Sequence, residues 1–419
     1  MVGAGAAGMA AAVFIRRANP ARSVLLLDGA RKPGAKILVS GGSRCNVTNR
    51  VVSERDFWGG RPTLIRRVLR TFTADDTIRF FQLLGVPLHE EAGGKLFPDT
   101  NRSRDVLAAL LRGVDGAGVG LLADHRVLDV SAAGHPMAAL DQSGRFTVVT
   151  GRGTIGCRYL VLATGGESLP KSGSDGAGLR FARRLGHSIV PTTPALVPLL
   201  LDDADGASIH RRLSGVSHTV ALHLWTDGRI AVRQHGSLLW THFGISGPVA
   251  LDMSRHWLRA QADGRTPRLT ASLSPSQSFD QLDAHWTSAA ATRPKTSLLI
   301  ALSAHVPGSV AAALLTRLQI DPAGELAHLT RSDRRRLVQA LVAWPLPVTG
   351  CRGYSHAEAT AGGVTLDEIN PATMESRRCP GLYLVGEMLD VDGRIGGFNF
   401  QWAWSSAFVA AQAIGRRPN

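Results

Sequence analysis

Gly3-Ala4-Gly5-Ala6-Ala7-Gly8 stands near one end of this 419-residue chain, and Asp28 follows Gly8 by twenty residues. The apolar run Val24-Leu25-Leu26-Leu27 leads into Asp28, as a buried parallel strand would. Between them, the alanine-rich residues 9–18 predict a helix. This glycine spacing permits a tight turn and a close backbone approach to a pyrophosphate, which the helix N-terminus then faces. The sequence thus predicts a dinucleotide site, with Asp28 accepting hydrogen bonds from ribose and the phosphates held by Gly3, Gly5, Ala6, Ala7 and Gly8.

A second glycine-rich segment lies near the other end of the chain. Gly386-Glu387 follows the apolar run Leu382-Tyr383-Leu384-Val385, and Gly396-Gly397-Phe398-Asn399 precedes a final helix predicted at roughly 399–414. The N-terminus of that helix suits flavin N1 and C2=O, because these atoms gain negative charge on reduction. A dinucleotide site that uses both ends of a chain is typical of FAD enzymes. We therefore predict FAD, with contacts from Gly386, Glu387, Asp392, Gly397, Phe398 and Asn399.

A third segment, Ser40-Gly41-Gly42-Ser43-Arg44-Cys45-Asn46, is rich in hydrogen-bond donors and can wrap a pyrophosphate and the flavin edge. It resembles the SGGGRCN(V/T)TN signature of the BaiN-like (YhiN-like) family of bacterial FAD-dependent oxidoreductases. Ser43 replaces the third glycine, Gly34-Ala35-Lys36 replaces Gly-Arg-Lys, and Asp28 replaces the usual glutamate. Further landmarks include Ala163-Thr164-Gly165-Gly166 and Thr241-His242-Phe243-Gly244-Ile245-Ser246-Gly247-Pro248, and the poorest match is around 260–335.

The resemblance implies non-covalent FAD, an oxidoreductase activity and a three-part architecture. It also implies FAD contacts from Lys36, Ser40, Gly41, Gly42, Arg44, Cys45, Asn46, Val127, Thr164 and Gly165. Reduction of unsaturated bile-acid-like steroids is proposed for one member of the family, and that substrate is not carried over to this chain.

The predicted fold is α/β, with a Rossmann-like FAD domain of the glutathione-reductase type built from both chain ends. Residues 1–190 form its first part, including a strand at 126–130 and a β-meander that runs from 146–150 through a Gly-Arg-Gly turn to Thr154 onwards, and residues 346–419 form its second part. Residues 191–345 are predicted to be an insert that is β-barrel-like at 191–265 and 326–345, with a helical excursion at about 266–325. Only Met1 and Val2 precede Gly3, so we expect the central strand to begin upstream of the given sequence.

Composition adds weaker constraints. The formal charge is +14, and only five of the 47 basic residues are lysine. Short clusters occur at Arg211-Arg212 and Arg334-Arg335-Arg336, but no long basic tract is interleaved with aromatics, which favours dispersed charge over a nucleic-acid partner. The four cysteines form no CxxC pair or metal-ligand spacing, as in a reduced cytoplasmic protein without a metal. No apolar stretch is long enough to predict a membrane span.

The leading functional prediction is hydride transfer through flavin N5 to or from a small organic substrate with an activated C=C or C=O bond. NAD(P)H is a candidate donor that would act transiently, because the sequence has one dinucleotide fingerprint. Arg394 is a candidate anion anchor or a solvent-facing arginine, and His242 is a candidate proton donor or a structural histidine. Cys45 is either a redox thiol or a buried neutral cysteine.

Two alternatives are an FAD-dependent RNA-modifying protein and a redox-sensing flavoprotein without turnover. The sequence does not indicate the oligomeric state.

Overall fold

The computed structural model describes residues 1–132, 145–203 and 209–417. The chain divides into two compact units. The first unit contains Met1–Thr192 and Glu358–Asn419, and the second contains Thr193–Ala357. Both chain ends therefore belong to the first unit.

The helices are α1 (Ala6–Ala18), α2 (Ala35–Ser43), α3 (Pro62–Leu69), α4 (Ala74–Leu83), α5 (Ser103–Gly116), α6 (Ala177–Arg184), α7 (Ile209–Arg212), α8 (Pro248–Ala262), α9 (Phe279–Thr292), α10 (Leu298–Ser303), α11 (Gly308–Leu318), α12 (Arg331–Val342) and α13 (Phe398–Gly415). The strands are β1 (Leu25–Leu27), β2 (Thr48–Asn49), β3 (Phe57–Gly59), β4 (Leu88–Glu91), β5 (Lys95–Pro98), β6 (Gly120–Leu122), β7 (Val127–Ala132), β8 (Phe146–Thr150), β9 (Gly153–Cys157), β10 (Leu160–Leu162), β11 (Ile189–Ala195), β12 (Leu199–Leu201), β13 (Ser217–Thr226), β14 (Arg229–Thr241), β15 (Gly244–Ser246), β16 (Arg268–Ser272), β17 (Trp344–Leu346), β18 (Val348–Cys351), β19 (Ala359–Val364), β20 (Leu382–Leu384) and β21 (Val391–Gly393).

The first unit is built on short parallel strands. β1 pairs with β6, β10 pairs with β20, and Val2 makes parallel bridges to both Leu27 and Leu162. Leu26, Leu160, Leu162 and the whole of β20 are buried, as expected for a sheet covered on both faces. The predicted Rossmann-type α/β fold is confirmed.

Helices from the two chain ends pack together in the first unit. α1 lies along α13, and Phe14 contacts the rings of Phe72, Phe80 and Phe408 at centroid distances of 5.2, 4.7 and 5.3 Å. The predicted final helix is present and slightly longer than expected. The predicted strand and β-meander are present as β7, β8 and β9, which pair in antiparallel order.

The second unit contains a seven-stranded antiparallel sheet in the order β17-β16-β13-β14-β15-β12-β18. α8 packs on β13 and β14, and its buried Met253 and Trp257 join Trp240 of β14 in one core. Helices α9 to α12 add Trp286, Leu314 and Leu337 to the same core.

Two parts of the second unit differ from the sequence prediction. Residues 268–272 were expected in a helical excursion but form β16, because Leu269 and Ala271 alternate into the core and the backbone pairs with β13. Residues 331–342 were expected in a barrel-like segment but form α12. Its buried Leu337, Val338 and Leu341 follow helical spacing, and the Thr330 hydroxyl caps the helix by accepting from the Asp333 N–H at 3.1 Å.

Candidate functional site

The carboxyl ends of the parallel strands in the first unit gather the predicted cofactor residues at one edge. Asp28 follows β1, Gly3 follows the bridging residue Val2, Thr164 follows β10 after Ala163, and Gly386 follows β20 after Val385. Ligands of open α/β sheets bind at this edge. The pairing explains how residues more than 350 positions apart contribute to one candidate site.

The N-terminal turn leaves helix α1 open toward this edge. Gly3 has φ +99°, and a Cβ on it would lie 2.5 Å from the Ala163 carbonyl oxygen, so only glycine fits. Gly5 is the N-cap of α1 and supplies no side-chain cap, and a Cβ on it would meet no heavy atom within 4 Å. The Met9 N–H makes the first bond of α1, to the Gly5 carbonyl at 3.0 Å, so the N–H groups of Ala6, Ala7 and Gly8 precede the intrahelical ladder and suit a phosphate.

Asp28 ties the turn to the end of β1. Its Oδ2 accepts the Ala4 N–H at 2.7 Å, and its Oδ1 accepts the Ala30 N–H at 2.8 Å. A carboxylate has about four acceptor positions, so each oxygen keeps capacity for a further donor. The carboxylate is thus fixed in place and can still accept from a ribose hydroxyl.

The end of α2 and the residues after it form a loop, residues 40–46, that carries several left-handed residues. Helical geometry ends at Ser40, and Gly41, Gly42, Ser43 and Cys45 have φ values of +54°, +66°, +67° and +62°. The Ser40 hydroxyl donates to the Ile37 carbonyl at 2.7 Å, and the Cys45 N–H donates to the Ser40 carbonyl at 3.1 Å. Loops of this kind turn successive N–H groups into an anion-binding concavity.

Asn46 carries an unsatisfied acceptor within this loop. The residue is 8% exposed, and its buried Oδ1 accepts no hydrogen bond from any residue in the described ranges. An unpaired buried acceptor costs about 1–3 kcal/mol, so the position fits a donor from a bound molecule. The adjacent Cys45 is fully buried, and burial raises the pKa of its thiol to about 12. That pKa disfavours the redox-thiol interpretation, because the thiol stays protonated near neutral pH.

Arg44 is held by a protein partner. Its guanidinium bonds both carboxylate oxygens of Glu91, at 2.6 and 3.3 Å, and lies over the Phe97 ring at 4.1 Å from the centroid. The contact with Glu91 was not anticipated from sequence. Any role of Arg44 toward FAD remains a prediction.

The C-terminal glycines bring α13 against the same loop. Gly397 has φ +90° and is the N-cap of α13 without a side-chain cap, and a Cβ on it would lie 2.5 Å from the Thr48 backbone. The Asn399 side chain closes the preceding turn by bonding the N–H and carbonyl of Gly393 at 2.8 and 3.0 Å. Phe398 is 1% exposed and packs under this turn. The N-terminus of α13 thus has uncapped N–H groups beside Thr48 of β2, two residues after Asn46.

Lys36 and Glu387 form an ion pair across the first unit. The Lys36 ammonium also donates to the Ser168 hydroxyl, which donates to Glu387 at 2.7 Å. The Thr360 N–H donates to the same Glu387 oxygen at 3.0 Å. Sequence reasoning named Lys36 and Glu387 as separate cofactor contacts and missed Ser168 and Thr360, which no motif marked.

Arg394 is paired and stacked within the first unit. Its Nε donates to Asp56 at 2.8 Å, its guanidinium carbon lies 4.5 Å from the Phe398 ring centroid, and its side chain is 47% exposed. These contacts leave the terminal nitrogens of the guanidinium as further donors toward solvent.

The remaining predicted contacts of the first unit are distributed around the sheet. Val127 is buried in β7 opposite Thr150, and Asp392 is buried in β21 opposite Trp58. The Gly386 N–H donates to the Ser406 hydroxyl at 3.0 Å, which fixes the end of β20 against α13. Gly165 lies in the left-handed region at φ +72°. Whether each of these residues touches FAD stays a prediction.

His242 belongs to the second unit. Its exposed ring meets Phe243 edge-on at 5.1 Å, and the Arg352 guanidinium carbon lies 4.7 Å from the same Phe243 ring centroid. His356 Nδ1 lies 3.2 Å from the Arg352 carbonyl oxygen. The structure thus brings together Phe243 and Arg352, more than 100 positions apart in the sequence, and the role of His242 as a proton donor stays a prediction.

The residues present fit FAD. Two uncapped helix N-termini, from opposite ends of the chain, lie in one unit with an unpaired buried acceptor at Asn46. In the described ranges, no group of three or more His, Cys, Asp or Glu side chains could hold a metal ion. Within the same part of the chain, helices long and apolar enough to cross a membrane are absent.

Comparison with known proteins decides the family. The model of the HI0933-like protein Rossmann domain matches residues 1–413. The chain belongs to the HI0933-like family. A relative in this group, the ribosomal RNA dihydrouridine synthase of Escherichia coli, is 35% identical over 99% of this chain and 97% of its own length. The 3-dehydro-bile acid delta(4,6)-reductase of Clostridium scindens is 30% identical over 100% of this chain and 99% of its own length.

A solved structure agrees at the level of fold. The E. coli quinol fumarate reductase chain FrdA aligns with a TM-score of 0.50 at 14% identity, covering 99% of this chain and 69% of that one. The resemblance to the BaiN-like group is confirmed, and the HI0933-like chain is an FAD-dependent oxidoreductase.

Proposed function

We propose that this protein reduces a carbon–carbon double bond conjugated to a carbonyl, and that its substrate is a uracil base in RNA. The observation that carries the flavin part of the proposal is the pair of uncapped helix N-termini, of α1 and α13, in one unit. The first suits a pyrophosphate, and the second suits the part of a flavin that becomes negative on reduction.

The reaction class is supported by the two relatives, whose names describe one kind of chemistry. Dihydrouridine is uridine with its C5=C6 bond reduced, and that bond is conjugated to the C4 carbonyl. A 3-dehydro bile acid with delta(4,6) double bonds is likewise a conjugated ketone. In both cases the net reaction adds one hydride and one proton across the double bond.

We favour RNA over a free small molecule because of one relative. The relative named for ribosomal RNA matches at 35% identity over nearly the whole of both chains. The net charge of +14 gives the protein an overall attraction for a polyanion, although its distribution along the sequence does not by itself select one. Sequence composition alone favoured dispersed charge and a small organic substrate. The relative named for ribosomal RNA is the reason that we propose RNA instead.

FAD supplies the hydride for such a reduction when it is bound. The protein must then polarise the carbonyl and deliver a proton to the carbon next to it. We assign carbonyl polarisation to the terminal nitrogens of Arg394, whose Nε is already fixed by Asp56. We assign the proton to His242, whose ring is exposed on the second unit.

A second candidate substrate is a steroid with a conjugated ketone, and the bile-acid reductase at 30% identity favours it. The reducing equivalents come from NADH or NADPH in either case. We place the protein in the cytoplasm, which suits its four free cysteines.

The test is an anaerobic incubation of FAD-loaded protein with NADH or NADPH and ribosomal RNA that lacks dihydrouridine. The RNA is then digested to nucleosides, and their masses are measured by mass spectrometry. The proposal predicts a uridine product heavier by two hydrogens that needs both protein and donor. Reduction of a 3-oxo-4,6-diene steroid with no change in the RNA would favour the second candidate. Reduction of neither substrate, after flavin bleaching by the donor, would contradict the proposal.

A further inference from the structure

A groove in the second unit carries the basic cluster that the flavin site does not use. It encloses about 850 Å³, and its lining includes Arg317, Arg335 and Arg336 together with the half-buried aromatic residues Phe279 and Trp344. We call it the arginine groove. Arg335 and Arg336 belong to the Arg334-Arg335-Arg336 cluster seen in the sequence.

Helix geometry places these arginines on the surface of the unit. α12 buries Leu337, Val338 and Leu341 in the core, which leaves Arg335 and Arg336 exposed on its other face. Arg317 lies in the last turn of α11 and is exposed as well. The guanidinium groups that line the groove therefore come from two helices, α11 and α12, which are both packed in the core of the second unit.

The charge of the groove is only partly compensated. Arg336 pairs with Asp333 at 2.7 Å, whereas Arg317 and Arg335 make no ion pair with any residue that the structure describes. The Arg335 guanidinium carbon lies 5.6 Å from the Phe279 ring centroid, which orients this cation without neutralising it.

Two acidic residues also line the groove. Asp203 is neutralised by its ion pair with Arg211, and Asp202 is exposed. Arg317 and Arg335 keep their guanidinium groups outside any ion pair among the described residues. The hydrogen bond from Arg334 lowers the pKa of Asp283, and the charge of Arg335 also helps to lower it.

We propose that the arginine groove binds the phosphodiester backbone of RNA and so holds the substrate strand on the second unit. This inference rests on the proposed function and adds the surface that recognises the RNA. Arginine groups bind phosphate in a forked geometry, and aromatic faces beside a basic groove accept unstacked bases. A small apolar substrate would not need this combination.

The experiment measures binding of a fluorescently labelled single-stranded RNA to the FAD-loaded protein over a range of salt concentrations. The test variant is the double substitution Arg317→Ala and Arg335→Ala. Its matched control is Arg229→Ala with Arg268→Ala, which removes the same charge from exposed strand ends of the same unit. Flavin content and the rate of flavin reduction by the donor confirm that both variants are folded.

The slope of log K for RNA binding against log salt concentration is negative. The proposal predicts that the double substitution in the groove makes it less steep by about 1.4, because each lost phosphate contact accounts for roughly 0.7. The control variant should change the slope by less than half of that. Equal changes in the two variants, or none in the groove variant, would overturn the proposal.

The same samples separate this inference from the proposed function. In one outcome, the wild type and the groove variant form dihydrouridine with the same dependence on RNA concentration. That result overturns the role of the groove in RNA binding and leaves the proposed function standing. If RNA binds through the groove with the predicted salt slope but is never reduced, the function fails and the groove stands.

Discussion

The carboxylate of Asp28 accepts the backbone N–H of Ala4 at 2.7 Å, which joins the end of β1 to the glycine turn before α1. The other carboxylate oxygen accepts the Ala30 N–H at 2.8 Å, so the carboxylate is fixed through both of its oxygens. The two contacts position the carboxylate for a ribose hydroxyl.

The first prediction concerns the affinity for FAD. Asp28→Ala removes a charged acceptor, whose hydrogen bonds contribute about 1.5–3 kcal/mol each, and should weaken FAD binding by at least roughly tenfold. Asp28→Glu should bind FAD at least as tightly as the wild type, because the longer side chain reaches farther. Fluorescence titration of apoprotein with FAD measures both, and wild-type affinity in Asp28→Ala would contradict the assignment.

The second prediction concerns backbone strain at Ser43. Its φ of +67° costs a residue with a Cβ about 1–2 kcal/mol, and glycine avoids this cost. Ser43→Gly should therefore raise the urea concentration at which half of the FAD is released. The shift should correspond to an increase of about 1 kcal/mol in the free energy of unfolding. Ser43→Ala keeps the strain and is the control. A midpoint for Ser43→Gly at or below that of Ser43→Ala would show that the loop is not strained there.

The third prediction separates the two halves of the reaction. His242→Asn should leave flavin reduction by the donor unchanged but slow substrate reduction by about 10²-fold or more, the usual contribution of a proton donor. Arg394→Lys keeps the charge but loses the forked donor geometry, so it should also slow substrate reduction and leave flavin reduction unchanged. Anaerobic stopped-flow absorbance resolves the two steps.

His235→Asn is the matched control for His242, because His235 is also exposed in the second unit. Equal rates of substrate reduction in His242→Asn and His235→Asn would exclude His242 as the proton donor.

The fourth prediction concerns stability against pH. His187 is buried between Glu368, 2.9 Å from Nδ1, and the Ser376 hydroxyl, 2.8 Å from Nε2, and burial lowers the pKa of His187. The unfolded chain then binds a proton below about pH 6.5 that the folded chain does not, so the free energy of unfolding falls as pH falls. The histidine contributes up to about 1.4 kcal/mol per pH unit in that range.

In His187→Gln, the urea concentration at the unfolding midpoint should fall less between pH 7.5 and about pH 5.5 than it does in the wild type. His235→Gln, at an exposed position, should keep the wild-type pH dependence. The same slope in all three proteins would show that His187 does not titrate differently on folding.

The fifth prediction concerns cysteine reactivity. Burial raises the pKa of Cys45 to about 12, so its thiol should resist iodoacetamide in the folded protein. Cys157, Cys351 and Cys379 are half-buried and should react first. Peptide mass spectrometry after brief native labelling measures the order, and early labelling of Cys45 would revive the redox-thiol interpretation.

Sequence alone predicted the parts of the fold whose patterns are local. The glycine turn, the run before Asp28, the β-meander and the final helix are each coded by neighbouring residues. The strand β16 and the helix α12 were missed, because pairing with β13 and packing in the core decide between alternatives that short apolar patterns leave open.

The candidate site shows the same division. Motifs identified Lys36, Arg44 and Glu387, but not Glu91 or Ser168, their protein partners. These partners are distant in sequence and lie in no recognisable pattern, so only the fold brings them to their positions.

The most direct test of the central claim is an anaerobic single turnover. FAD-loaded protein is reduced by light in the absence of NAD(P)H and mixed with ribosomal RNA that lacks dihydrouridine, and flavin absorbance is followed over time. The account predicts reoxidation that forms one dihydrouridine for each flavin reoxidised. Flavin that stays reduced in the presence of RNA, but reoxidises with another acceptor, would contradict it.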